Sequence, residues 1–197
     1  MSAAPAGVPL LLRSLKLPGF VRAYAQVAEQ AEREGWSFER YLHHLAEIEI
    51  EDRRGRRIER LLRQSDLPQD KMLSTLELSR LLAPVRRTVP TLCEGGFVDR
   101  AENLLAFGLP GRGKTHLVCA IGHELVQRGY QVLFVPAFKL VQRLLAAKQN
   151  LDLEATLRRL DHFDAVILDT WAMSSKAAPR WRCSSPSWPN VTSAEVC

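Results

Sequence analysis

This chain of 197 residues has no long hydrophobic run: none approaches the roughly 18 apolar residues that a membrane-crossing helix needs. Residues 1–18 lack a charged leader followed by an apolar core, so no secretion signal is expected. Cysteine is scarce and scattered. Cys93, Cys119, Cys183 and Cys197 form no C-x-x-C pair and have no histidine at ligand spacing, which argues against a zinc site or a disulfide framework. His43, His44, His116, His123 and His162 likewise make no ligand cluster, and no internal repeat or low-complexity tract appears. What remains is a soluble protein with reduced thiols, expected in a cytoplasm.

Hydrophobic content of 46% and charged content of 25% are those of a globular protein, and the length allows one domain or a small one plus part of a larger one. The net charge of +5 and a pI near 9.3 permit a nucleic-acid partner without requiring one.

One stretch organises the chain. The apolar run Asn103–Phe107 leads into Gly108-Leu109-Pro110-Gly111-Arg112-Gly113-Lys114-Thr115, and an amphipathic run opens with His116-Leu117 and ends at Gly129. The eight central residues satisfy G-x-x-x-x-G-K-[ST], the phosphate-binding loop, and with His116 they make up the expected nucleotide-binding site. Its glycines let the main chain turn tightly and bring successive N–H groups to an anion, and the following helix adds its positive end. Lys114 is placed to reach the β- and γ-phosphates of ATP, and the Thr115 hydroxyl to ligate Mg²⁺.

Downstream, Tyr130–Val135 reads as a buried strand, 137–148 and 153–160 as helices, and 164–169 as a strand of four apolar residues closing on Asp169. Strand–helix–strand–helix–strand implies a parallel α/β sheet. An acid ending a buried strand about fifty residues beyond such a loop is the expected second Mg²⁺ contact, made through water.

Upstream the chain reads as helices. A first run from Leu10 breaks at Leu17-Pro18-Gly19; a second spans Phe20 to Glu34 and stops at Gly35. A third is capped by Ser37, with a stripe of Phe38, Tyr41, Leu42, Leu45 and Ile48. Its stretch 51–63 carries Arg53, Arg54, Arg56, Arg57, Arg60 and Arg63 against three acids, Glu51, Asp52 and Glu59. On composition this is first a solvated face with pairs such as Asp52–Arg56, and alternatively a set of DNA-phosphate contacts. The expected division is a helical domain over 1–66, a connector over 67–100 with a linker at 64–70 and breaks at Pro84, Pro90, Gly95 and Gly96, and a nucleotide domain over 101–169.

With these residues in view, the chain resembles the IstB-type helper ATPases of insertion-sequence transposition, relatives of the DnaC-type helicase loaders within the AAA+ superfamily. The resemblance covers roughly Leu10 to Asp169. Beyond the loop it rests on Leu15-Lys16-Leu17-Pro18-Gly19, Arg100–Leu105, His116-Leu117 and Arg128–Phe134. It implies a bacterial protein binding ATP and Mg²⁺ that self-associates on target DNA and assists an IstA-like transposase. It also moves the arginine stretch towards DNA contact. The implied fold is a small N-terminal helical domain followed by an incomplete P-loop NTPase parallel sheet. A helicase loader of replication and a non-catalytic DNA-binding remnant remain alternatives.

The resemblance fails after Asp169. Where the family continues with a second acid, then Gly-Tyr and an amphipathic helix, this chain has Thr170-Trp171-Ala172-Met173, and a tail rich in Trp, Ser and Pro. A hydroxyl at Thr170 cannot act as a base near neutral pH, so no intact catalytic residue is expected. The family's sensor residues and arginine finger lack counterparts too. Read one base earlier, ordinary codons for Trp171–Lys176 can spell Leu-Gly-Tyr-Val-Gln-Gln, and those for Trp181–Asn190 an amphipathic helix. The tail over 170–197 is therefore expected to be an out-of-frame, disordered segment. In the superfamily a fourth strand separates the phosphate-loop strand from the Asp169 strand. Its loss is expected to leave apolar surface open and to yield an aggregation-prone chain with weak nucleotide affinity and little turnover.

Overall fold

The computed structural model describes residues 7–170 and 191–195. The expected out-of-frame stretch lies mostly outside them, at 171–190. The chain divides into two compact units, Met1–Glu59 and Arg60–Cys197. The division falls inside the third helix, ahead of the boundary at 66 that the sequence suggested.

The first unit holds α1 (Val8–Ser14), α2 (Pro18–Glu34) and the larger part of α3 (Phe38–Gln64). Pro18 opens α2, where a missing N–H costs nothing, and the helix closes at Gly35 with the Trp36 amide returning to the Ala31 carbonyl at 2.9 Å. Ser37 caps α3 as expected, its hydroxyl accepting the Arg40 amide at 3.2 Å. The expected apolar stripe is only partly right. Phe38 is 93% exposed and Leu42 is exposed as well, whereas Leu45 is buried.

One turn beyond Leu45, the buried face carries a carboxylate. Glu49 is 4% exposed; its Oε2 accepts the Gly19 amide at the start of α2 (2.7 Å), and its Oε1 accepts Arg53 Nε (2.8 Å) and an Arg56 guanidinium nitrogen (3.4 Å). An acid at the positive end of one helix, supported by two arginines of its own, ties α2 to α3. Burial pushes the Glu49 carboxyl up, but the Arg53 hydrogen bond, the Gly19 and Phe20 amides and the Arg53 charge together hold it below the usual carboxylate range. A carboxylate depressed in the folded state stabilises above its unfolded pKa and loses that contribution as pH falls through the folded value. Glu49→Gln is therefore expected to cost about 2 kcal/mol at neutral pH. In urea titrations across the acid range it should also flatten the decline that the parent shows below about pH 4.5.

In the second unit, β1 (Asn103–Phe107), β2 (Val132–Pro136) and β3 (Ala165–Asp169) alternate with α6 (Lys114–Gln127), α7 (Ala137–Gln149) and α8 (Leu153–Leu160), close to the expected bounds. β2 and β3 pair in parallel, from Val132 opposite Ala165 to Pro136 opposite Asp169. β1 pairs with neither. Its partner is β4 (Val191–Glu195), also parallel, which forms where the tail was expected to be without structure. Among the described residues β1 has no partner strand besides β4.

The core centres on α6, whose Leu117, Cys119, Ala120, Ile121, Leu125 and Val126 are buried together with Val132, Leu133 and Val135 of β2. Each large aliphatic side chain so buried contributes on the order of 1.5–3 kcal/mol. Residues 67–100 are more than a connector. Ala83–Glu94 forms α4, which packs on α6 through Val85, Val89, Leu92 and Cys93. Pro84 sits at the helix start, and Pro90 lies inside it instead of breaking it. Burial of that stripe outweighs the one main-chain bond the ring removes. Gly96–Asp99 adds a short helix, α5, and two 3₁₀ turns, Leu73–Thr75 and Leu78–Arg80, precede α4. The expected linker is anchored as well: Ser65 is fully buried, its carbonyl accepts the Phe134 amide of β2 at 2.7 Å, and Leu67 packs near Gly122.

Candidate nucleotide-binding site

The loop Gly108–Gly113 turns from the end of β1 into the start of α6. Gly111 and Gly113 hold φ of 77° and 83°, left-handed values that a residue with a Cβ adopts only at a cost of about 1–2 kcal/mol. Nothing stands within 4 Å of where their Cβ atoms would lie, so the glycines are there for main-chain freedom and for open space in front of the loop. The first turn of α6 closes directly behind, the Leu117 amide donating to the Gly113 carbonyl at 2.8 Å. The loop is exposed, Leu109, Pro110 and Arg112 included.

Lys114 folds back over this loop, its Nζ donating to the carbonyls of Gly108 and Leu109 at 2.8 Å each. The ammonium is thus held above the glycines by weak, exposed acceptors that a phosphate oxygen can displace. The neighbouring side chain turns the other way. Thr115 Oγ1 donates to Asp169 Oδ1 at 3.0 Å, joining the start of α6 to the end of β3 across 54 positions of sequence. A hydroxyl and a carboxylate side by side form the hard oxygen set that Mg²⁺ accepts with phosphate and water completing its shell. Among the described residues no group of three or more His, Cys, Asp or Glu could hold a metal, which leaves this pair as the candidate. Thr170 follows on the exposed side of Asp169 and brings no second carboxylate.

His116, the last residue of the expected site, faces the segment before α4. Its Nε2 lies 3.1 Å from both Thr75 Oγ1 and the Met72 carbonyl, pinning residues 72–75 to the first turn of α6. Pattern matching gives no sign of this clamp, since neither partner belongs to a motif. His123, a turn or two along the same helix, repeats the device with the Pro68 carbonyl at 2.9 Å. Cys119 between them is buried, and its thiol is pushed up to about 11, chiefly by burial, so it offers no nucleophile.

The expected DNA-contact arginines do not act as one set. Arg53 and Arg56 are engaged by Glu49, and Arg53 also donates to the Lys16 carbonyl at 3.1 Å. Asp52 pairs with Arg22 at 2.6 Å, and besides Glu49 Arg56 bonds the main-chain carbonyl of Asp52, in place of the expected side-chain pair. Arg54, Arg57, Arg60 and Arg63 are exposed along α3.

A glycine loop between strand and helix, a lysine over that loop, and a threonine facing an aspartate at the end of another parallel strand define the P-loop nucleotide-binding class. The chain belongs to the IstB-like ATP-binding protein family, whose pattern it matches over residues 10–177. It is 39% identical over 168 residues to an insertion-sequence ATP-binding protein of Sinorhizobium fredii, covering 85% of this chain and 56% of that protein. The ATP-binding protein of insertion sequence IS5376 from Geobacillus stearothermophilus is 36% identical over 155 residues, covering 79% and 62%. That of IS21 from Pseudomonas aeruginosa is 34% identical over 160 residues, covering 81% and 60%. The chain therefore spans about three fifths of the length of these curated relatives. Among the described residues no helix is long and apolar enough to cross a membrane.

Proposed function

We propose that this chain binds ATP with Mg²⁺ at the loop 108–115 and Asp169, and serves as an ATP-binding helper of DNA transposition that acts on DNA beside a transposase. The observation that carries the reading is the 3.0 Å contact between Thr115 and Asp169, which puts both oxygen donors next to the loop. The amides of 111–115 and the positive end of α6 receive the phosphates, Lys114 exchanges its two loop carbonyls for phosphate oxygens, and Thr115 with Asp169 orients the cation. Bound Mg²⁺ would neutralise charge on the β- and γ-phosphates. DNA contact falls first to Arg54, Arg60 and Arg63, which are exposed along α3, while Arg53 and Arg56 already serve Glu49. The names of the relatives, all ATP-binding proteins of insertion sequences, support the cellular role.

Hydrolysis is impaired in this reading. Thr170 stands beside Asp169 where a second carboxylate would polarise water, and its hydroxyl is not a base near neutral pH. Saturable uptake of labelled ATP that disappears when Mg²⁺ is chelated, with phosphate release at background, is the expected result. Absence of saturable uptake sinks the reading, and turnover matching that of a full-length relative removes the impairment from it.

A further inference from the structure

Residues 65–75 form a strap that runs back along α6. Its near end is fixed by the Ser65 carbonyl, which accepts the Phe134 amide of β2 at 2.7 Å. Leu67 then fills the space in front of Gly122, its Cδ2 3.1 Å from where a Cβ would lie, and the Pro68 carbonyl stands 2.9 Å from His123 Nε2. About two turns nearer the start of the helix, His116 Nε2 lies 3.1 Å from both the Met72 carbonyl and Thr75 Oγ1.

Thr75 ties the far end. A carbonyl only accepts, so His116 Nε2 carries a proton and donates to the Met72 carbonyl and to the Thr75 hydroxyl oxygen. The same oxygen accepts the Met72 amide at 3.1 Å. Its own proton goes to the Asp70 carbonyl at 2.8 Å, with the Met72 carbonyl at 3.0 Å as the other acceptor. One hydroxyl thus closes the turn Leu73–Thr75 and binds it to α6.

The position it reaches matters to the site. His116 follows Lys114 and Thr115 directly, and all three belong to the first turn of α6, whose amides lack helical acceptors and suit an incoming anion. The first turn of a helix is the least favourable to form, and helix ends fray. A polar side chain at the N-cap normally opposes this, but here the N-cap is Gly113, which the phosphate loop requires and which supplies no side-chain bond. The turn is held from outside instead, by Asp169 on Thr115 and by the strap on His116.

We infer that Thr75 is a positioning residue of the nucleotide site: through His116 it braces the uncapped first turn of α6 and keeps the phosphate-facing amides in place in the empty protein. Such preorganisation raises affinity without adding a contact to the ligand. The inference rests on the phosphate role proposed for this turn, whereas the brace itself is measurable without nucleotide.

Amide hydrogen exchange of the nucleotide-free full chain is compared among the parent, Thr75→Val and Thr75→Ser, and each protein is then titrated with ATP and Mg²⁺. Valine keeps the shape of threonine without the hydroxyl, and serine keeps the hydroxyl. In Thr75→Val, exchange along 117–119 is expected to quicken about fivefold, the scale of one lost hydrogen bond. Exchange along 124–127 and the thermal midpoint stay at parent values, because Thr75 itself is exposed. The Kd for ATP–Mg²⁺ should rise by a similar factor of about five, and Thr75→Ser should restore both quantities. A merely structural loss would instead lower the midpoint and quicken exchange along the whole helix, and that result overturns the inference. So does unchanged exchange at 117–119, or equal affinity in Thr75→Val and an ATP-binding parent. If the quickening and its rescue by serine appear while the parent takes up no ATP, the brace stands and the nucleotide reading falls.

Discussion

Lys114→Ala is expected to weaken ATP–Mg²⁺ binding roughly 100-fold, with no change in the melting temperature of the nucleotide-free chain. The magnitude comes from charge-assisted hydrogen bonds to phosphate oxygens, worth about 1.5–3 kcal/mol, at about 1.4 kcal/mol per tenfold in Kd. The absence of a stability effect follows from the present partners of the ammonium. The Gly108 and Leu109 carbonyls at 2.8 Å are on an exposed loop, and water replaces the lost donor. Lys114→Arg is not a conservative control, because a planar guanidinium cannot enter a cradle shaped for one compact charge. Isothermal titration paired with a thermal melt separates the two quantities. Equal affinity in parent and variant would show that the loop does not hold the phosphates.

Gly95→Ala is the largest expected stability change, about 2–5 kcal/mol. Gly95 closes α4 and opens α5 with φ of 87°, a left-handed value costing about 1–2 kcal/mol for alanine. A Cβ there would also lie 2.6 Å from Cε2 and 2.9 Å from Cζ of the Tyr130 ring, an overlap that typically costs a further 1–3 kcal/mol or so. Tyr130 cannot swing away freely, since its hydroxyl donates to both carboxylate oxygens of Asp99 at 3.0 Å. A double-mutant cycle with Tyr130→Ala divides the loss: removing the ring should recover the overlap and leave the backbone strain. Chemical unfolding of the four proteins gives the coupling. A coupling of zero would mean that the two residues do not meet.

Sequence and structure agree best where a feature depends on neighbours along the chain. The loop 108–115 is a local conformation imposed by glycines between a strand and a helix, and it stands where the motif put it. The helices 137–149 and 153–160 carry their own apolar periodicity. Pro90 shows the limit of such signals. Read locally it ends a helix, but Val85, Val89, Leu92 and Cys93 are buried against α6, and the helix persists through it. The connector residues gave no local sign of packing either, because Ser65, Leu67 and Thr75 acquire their meaning from Phe134, Gly122 and His116, all far away in sequence.

The arginine stretch shows the same division. Six like charges on one helix read as one surface, and only the packing of α2 on α3 reveals that two of them are committed to a buried carboxylate. Glu49 itself carries no signal, being one acid among many on a charged helix, until the α2 terminus arrives with an unpaired amide. The sequence by itself determined the phosphate loop, the identity of Asp169 and the parallel α/β class, because each is written in contiguous residues whose main-chain preferences suffice. The tertiary structure alone decided that Thr115 meets Asp169, that Glu49 joins two helices, and that β1 pairs with β4 while β2 pairs with β3. Those facts depend on which distant surfaces come together, and short-range preferences do not encode that.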